Sequence, residues 1–270
     1  MKSPMRLYKA FFPAFFAAAL LAGSCHHTAD VTGVNVAYVE MNGQENLHDS
    51  ATASMIAPFK DSLDHIMKEV MIVSDMEMPK ERDKTETLLG NFVADVVLSE
   101  ANPNCKNKSE SVSNVPLLCP DICLLNTGGL RSSLPKGNIT RGNIFELMPF
   151  DNEIVIVTLS GKQTWELFRY VAATGGQPVA GFKMGLKNDK SPGTVLINGA
   201  PFDTTRNYNV ATSDYLANGG DKMDFFKNPL AVTLTGIRIR DALLNYCAAE
   251  NKKGNHLHPH LDERIYYENK

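Results

Sequence analysis

The chain has no excess of positive charge: 27 lysines and arginines stand against 30 aspartates and glutamates, a net charge of −3. Without a basic footprint, a nucleic-acid polymer is excluded as a partner. Paired cysteine motifs are also missing. Cys119-x3-Cys123 has no second pair, so no zinc pattern is present. No internal repeat or low-complexity tract occurs, and no linker is long enough to separate two domains. Tryptophan is limited to Trp165, which is most simply core. The remainder is ordinary for a globular protein, with 43% hydrophobic and 21% charged residues in 270 positions.

One apolar run stands apart. Lys2, Arg6 and Lys9 precede residues 10–22, interrupted only by Pro13, and Leu21-Ala22-Gly23-Ser24-Cys25 closes the stretch. It is too short for a comfortable membrane span and has the layout of an export signal. A cysteine directly after small residues resembles a bacterial lipobox, although Ala22 stands where leucine is usual. Cys25 is then the lipidated first residue of an exported, membrane-anchored protein of the periplasm, outer membrane or cell surface. The alternative is ordinary cleavage near Ala22, leaving Cys25 a free thiol. The expected organisation is a signal over 1–24, a tether over 25–33 and one domain over 34–270. Export implies an oxidising compartment. With Cys25 lipidated, Cys105, Cys119, Cys123 and Cys247 allow three connectivities. A Cys105–Cys119 bridge would cross a polar loop, whereas Cys123 reads as a buried thiol.

Hydrophobic periodicity predicts the elements. Residues 34–39 alternate as a first strand. Over 50–70, Met55, Ile56, Phe59, Leu63, Ile66, Met67 and Val70 share one helical face, and Pro58 fits only near the first turns. A strand follows at 70–73. Thr85 predicts an N-cap for a helix that turns Leu89, Phe92, Val93, Val96 and Val97 inward. Further strands are expected over 117–125, 153–159, 181–186, 194–197 and 208–212. Ser160 caps a helix over 162–173, and a final helix covers 236–249. Strands and helices without a regular βαβ rhythm predict a single α+β domain, a mixed sheet with packed helices.

Three stretches carry candidate chemistry. Asn126-Thr127-Gly128-Gly129-Leu130-Arg131 follows an apolar strand. Paired glycines allow positive φ and let backbone N–H groups approach a ligand, and Arg131 offers a fork of donors to a phosphate or carboxylate. The plainer reading is a turn with a solvent-facing arginine. Met148-Pro149-Phe150-Asp151-Asn152 fixes an aromatic after a proline, as a core plug or a binding platform. Tyr215-Leu216-Ala217-Asn218-Gly219-Gly220-Asp221 joins an aromatic, a glycine-rich turn and an acid, a form that usually closes hairpins. Together they contain the parts of a nucleotide site. Two aromatic faces can sandwich a base at about 1–3 kcal/mol per contact. An aspartate can accept both hydroxyls of a ribose, and an arginine can meet the phosphate.

These stretches follow Glu86-Thr87-Leu88-Leu89-Gly90-Asn91-Phe92-Val93-Ala94-Asp95 in an order and spacing that resembles the C-terminal domain of 5′-nucleotidases. That family includes secreted UDP-sugar hydrolases and 2′,3′-cyclic phosphodiesterases. The resemblance runs from about residue 55 to at least 226. It implies that Phe150 and Tyr215 clamp a base, with tyrosine where phenylalanine is more common. It implies that Asp221 binds the ribose hydroxyls, Asn126 contacts base or ribose, Asn152 contacts the base, Gly128 and Gly129 line the site and Arg131 faces the phosphate. One departure is clear: a further family arginine ahead of the helix is replaced by Asp83, with Arg82 one step off.

In the family, hydrolysis belongs to a separate N-terminal metallophosphatase domain whose two metal ions activate water. Its D-x-H pattern is absent from this sequence. The fragments Gly220-Asp221-Lys222-Met223-Asp224 and Gly254-Asn255-His256 do not follow the buried apolar strands that position such ligands. His256, His258 and His260 read as a polar surface tail. The resemblance therefore implies a nucleotide-recognition part of a 5′-nucleotidase, without a cofactor of its own and inactive alone. Its partners would be a nucleotide or nucleoside and a separately encoded metallophosphatase chain that supplies the divalent metal pair. The membrane is met only through the lipid anchor. Two rivals remain: a non-catalytic nucleoside-binding or surface-interaction lipoprotein that lost its catalytic half, and a degenerate domain that binds nothing.

Overall fold

A computed structural model describes residues 49–101 and 118–268. The chain divides into two compact units, 1–53 and 54–270. Only 49–53 of the first unit are described; the strand expected at 34–39, the signal and Cys25 lie outside the described residues. Asp49 opens a helix there: its Oδ1 accepts from the Ala51 N–H at 3.0 Å and its Oδ2 from the Thr52 hydroxyl at 2.7 Å. This is N-cap chemistry.

The helix, α1 (Ser50–Met67), departs from expectation twice. Pro58 sits in its interior with at least two turns on each side, not in the first turn, so the flanking turns hold the helix across one missing bond. No residue of α1 is buried, and Met55 and Phe59 are 74% and 76% exposed. Periodicity predicts a helix with an apolar face, but not what covers that face.

The chain continues through β1 (Val70–Ser74), α2 (Leu88–Glu100), β2 (Ile122–Leu124), β3 (Gly137–Thr140), α3 (Arg141–Leu147), β4 (Glu153–Ser160), α4 (Gly161–Thr174) and β5 (Val179–Ala180). It ends with β6 (Phe182–Leu186), β7 (Pro192–Ile197), β8 (Ala200–Pro201), β9 (Asn207–Ser213), α5 (Asp214–Ala217), β10 (Ala231–Arg238), α6 (Ile239–Lys252) and β11 (Ile265–Tyr267). A five-stranded sheet runs β10-β4-β9-β2-β5, a second of four strands runs β11-β6-β7-β8, and β1 pairs with β3. Both larger sheets are mixed: β2–β9 and β11–β6 are parallel and the other pairs antiparallel. The α+β architecture expected from the sequence is the one observed.

The five-stranded sheet separates two cores, and period-two alternation deals its residues between them. Ile154, Ile156 and Cys123 face α2 and α6, against Val93, Val97, Leu243 and Cys247. Val155, Val157, Ile122 and Leu124 face α4 and the second sheet, against Phe168, Val171, Phe182 and Met184. Ser160 caps α4 as expected, in a capping box with Gln163.

Two expectations are corrected. The cap of α2 is Thr87, not Thr85: its hydroxyl accepts from the Gly90 N–H at 3.0 Å, three residues on. The final helix begins at Ile239 because the residues before it form β10, an edge strand paired with β4 from Ala231↔Thr158 onward. Short β3, α3 and β11 have too few residues to show a period. Cys119 is disulfide-bonded, while Cys123 and Cys247 are free and buried. No described helix is long and apolar enough to cross a membrane.

Candidate functional site

Strand order brings the three candidate stretches to one edge. β2 and β9 are parallel neighbours, so the residues after each, Asn126 and Tyr215, emerge on the same side. β4 runs antiparallel to β9 with Ile154 opposite Ser213, which places the residues before β4, Phe150 and Asn152, there as well. A cleft of about 400 Å³ results, lined by Asn126, Gly128, Gly129, Arg131, Phe150, Asn152, Tyr215 and Asp221. All eight residues singled out from the sequence are brought together.

Asp221 organises one wall. Its Oδ2 accepts from Asn126 Nδ2 at 2.6 Å and its Oδ1 from the Tyr215 hydroxyl at 2.9 Å. Its carbonyl accepts from the Tyr170 hydroxyl, on α4, at 3.0 Å. Each carboxylate oxygen keeps one acceptor position for a further donor. Burial raises the Tyr170 phenol above the usual range, with the Asp221 and Tyr215 charges adding to it. The Tyr215 ring packs against Gly220, where a Cβ would sit 2.5 Å from the ring; this is a close approach that only glycine permits.

The glycine pair acts differently from expectation. Thr127–Gly129 form a 3-10 turn in which neither glycine has positive φ. Gly129 is needed for space, since a Cβ there would lie 2.8 Å from Asn126 Oδ1, whereas one on Gly128 would make an ordinary contact 3.4 Å from Asn126 Nδ2. The turn is pinned by Gln177, whose Oε1 accepts from the Thr127 N–H at 2.9 Å.

Phe150 and Tyr215 are 45% and 47% exposed. Phe150 is therefore not a core plug. The Arg131 guanidinium stands 5.9 Å from the Phe150 ring centre, and its Nη1 donates to the Gly128 carbonyl at 3.2 Å. The Arg131 N–H donates to Leu147 O at 2.9 Å, tying two walls of the cleft together. Lys80 Nζ reaches Arg131 O at 3.3 Å. Partial burial lowers the Lys80 ammonium, and the Arg131 and Arg82 charges lower it further. A second cleft of about 410 Å³ shares Gly128 and Arg131 with the first, and Arg82, Asp83 and Lys80 line it.

Sequence reasoning missed Lys80, Tyr170 and Gln177. Tyr170 acts from α4 and the other two from loops, and none lies in a motif. The polar tail is more ordered than expected: Asp75 Oδ1 and Oδ2 meet Nδ1 of His256 and His258 at 3.1 and 2.6 Å. The His256 hydrogen bond, with the two imidazoles nearby, holds the Asp75 carboxyl below its usual range.

Comparison with known proteins points one way. The sequence pattern described as "5′-nucleotidase, C-terminal domain" matches residues 68–228. The trifunctional nucleotide phosphoesterase protein YfkN of Bacillus subtilis is 27% identical over 215 residues, covering 73% of this chain and 14% of that protein. A 5′-nucleotidase of Vibrio parahaemolyticus is 24% identical over 75% of this chain and 34% of its own length. The crystal structure of a 5′-nucleotidase precursor from Thermus thermophilus superposes with a TM-score of 0.66 and 23% identity, over 83% of this chain and 44% of that one. The chain thus spans less than half the length of each of these relatives.

Proposed function

The chain belongs to the 5′-nucleotidase C-terminal domain family, and from that premise we propose that it is the nucleotide-recognition part of a 5′-nucleotidase-type hydrolase. The base stacks between Phe150 and Tyr215, the ribose hydroxyls donate to Asp221, and Asn126 and Asn152 meet base and sugar edges. Arg131 turns the phosphate towards a metallophosphatase chain that supplies the two metal ions and the attacking water. The protein is exported and anchored through a lipid on Cys25. The observation that carries this reading is the convergence of two exposed aromatics, a carboxylate and an arginine in one cleft.

Titration calorimetry with adenosine and AMP tests the clamp, and phosphate release from AMP with manganese tests the division of labour. Activity is expected only when a metallophosphatase chain is added. Strong release by this chain alone would overturn the proposal. One observation favours the second reading, a nucleoside-binding lipoprotein: the phosphate side of the cleft has a single arginine, already bonded to Gly128. Equal affinity for adenosine and AMP would select it.

A further inference from the structure

We propose that Arg240 is a positioning residue for the aromatic clamp, holding Phe150 and Asn152 through the backbone of the loop that carries them. This rests on the nucleoside-clamp reading of the cleft. Arg240 is the second residue of α6, is 8% exposed and does not line the cleft. Its Nη2 pairs with Asp151 Oδ1 at 2.5 Å, and its Nη1 reaches the carbonyls of Met148 and Phe150 at 3.4 and 3.5 Å. From below, the guanidinium rests on the ring of Phe145, on α3, 4.4 Å from its centre. Its neighbour Ile239 donates its N–H to Asn152 O at 3.0 Å. The start of one helix therefore grips Met148, Phe150, Asp151 and Asn152 in turn.

Stability alone does not account for an arginine at this position. Its Nε is buried without a hydrogen-bond partner, a costly arrangement. An apolar side chain of similar length would fill the same space without desolvating a charge. What only a guanidinium supplies is a rigid fork that bonds two carbonyls and a carboxylate at once. Those bonds set the direction in which Phe150 leaves the backbone, and an exposed ring has no core packing to do so.

Two readouts test this. One is the fluorine resonance of the chain with Phe150 replaced by 4-fluorophenylalanine, which needs no ligand; the other is adenosine affinity by calorimetry. In the parent chain the fluorine line is expected to be narrow and away from its unfolded position. It should broaden and move towards that position in Arg240→Gln and, less so, in Asp151→Asn, with partial recovery in Arg240→Lys. The exposed Asp151 carboxylate makes Asp151→Asn the variant that retains the fold. Adenosine affinity should fall about tenfold in Arg240→Gln, the lower part of the range for a lost stacking contact. That loss should vanish in a Phe150→Ala background, because a double-mutant cycle isolates the coupling. Fluorine lines unchanged in Arg240→Gln and Asp151→Asn overturn the positioning role, as do losses that add to Phe150→Ala. A displaced line in a protein whose parent chain binds no adenosine supports the positioning role and overturns the nucleoside reading instead.

Discussion

Asp221 sits in the left-handed region at φ 51° and ψ 28°, a conformation that costs a non-glycine residue energy and is tolerated where the side chain is needed. Its side chain joins Asn126 on one strand end to Tyr215 on another. Asp221→Asn keeps a residue that accepts this backbone but turns one acceptor into a donor. We expect stability to fall by about 1 kcal/mol, one hydrogen bond, and adenosine affinity to fall because the ribose hydroxyls lose an acceptor. Calorimetry and urea denaturation measure the two effects. Phe150→Ala and Tyr215→Ala should each weaken nucleoside binding by about 1–3 kcal/mol; the melting temperature should change little in Phe150→Ala, whose ring is exposed, and more in Tyr215→Ala, which also loses the hydrogen bond to Asp221. The candidate residues themselves were legible in the chain as short motifs. Their roles were less so: Gly129 provides room beside Asn126, and neither it nor Gly128 has the positive φ that paired glycines invite one to expect.

Elements that support the cleft are fastened by contacts distant in sequence. Gly176 follows α4 at φ 124°, and a Cβ there would lie 2.3 Å from Thr85 O, in the wall of the second cleft. Gly176→Ala is expected to cost about 2–4 kcal/mol. Gly199→Ala, at φ 81° in open space, should cost only the left-handed strain of about 1–2 kcal/mol. Denaturation midpoints of the two variants separate collision from strain. The C-terminal segment is held by Arg264, which forks onto Asp95 of α2 with two 2.7 Å bonds and reaches Asp262 and the Val179 carbonyl at 2.8 Å each. Arg264→Met should cost about 2–3 kcal/mol. That is below the about 3–5 kcal/mol of a fully buried pair, because Asp95 is half-exposed and rehydrates. Glu86 continues the strap by accepting from the Asp262 N–H at 2.9 Å and from Asn91 Nδ2 at 2.6 Å. Glu86 is thus committed to the tail, and the cap falls to Thr87, which directly precedes α2 and accepts from the Gly90 N–H.

For the molecule as a whole, the two cores leave a chemical signature. Burial pushes the Cys247 thiol up to about 12, and burial raises Cys123 as well. Neither should react with an aromatic disulfide reagent in the native protein, and both should react in denaturant. The sign of the pH effect follows. Both folded values lie above the unfolded thiol value of about 8.5, so the unfolded chain releases protons first. Stability is therefore complete below about pH 8.5 and declines as pH rises towards the folded values. Urea midpoints between neutral and alkaline pH check this, with Cys247→Ala reducing the decline.

The sequence alone determined the elements that carry their own signal: β4 by alternation, α4 by the Ser160 cap and α2 by its inward stripe. It also determined the motifs of the site, because their residues are neighbours in the chain. Tertiary structure decided what depends on separation. The order β4-β9-β2 sets three loop ends side by side. Arg240 meets Phe150 across 90 residues, and Arg264 meets Asp95 across 169. The apolar face of α1 looks in sequence like any core helix and is exposed in the fold. Local periodicity records which way a side chain points from its own backbone. Which backbone lies opposite is set by strand pairing and packing, and those contacts leave no period in the chain.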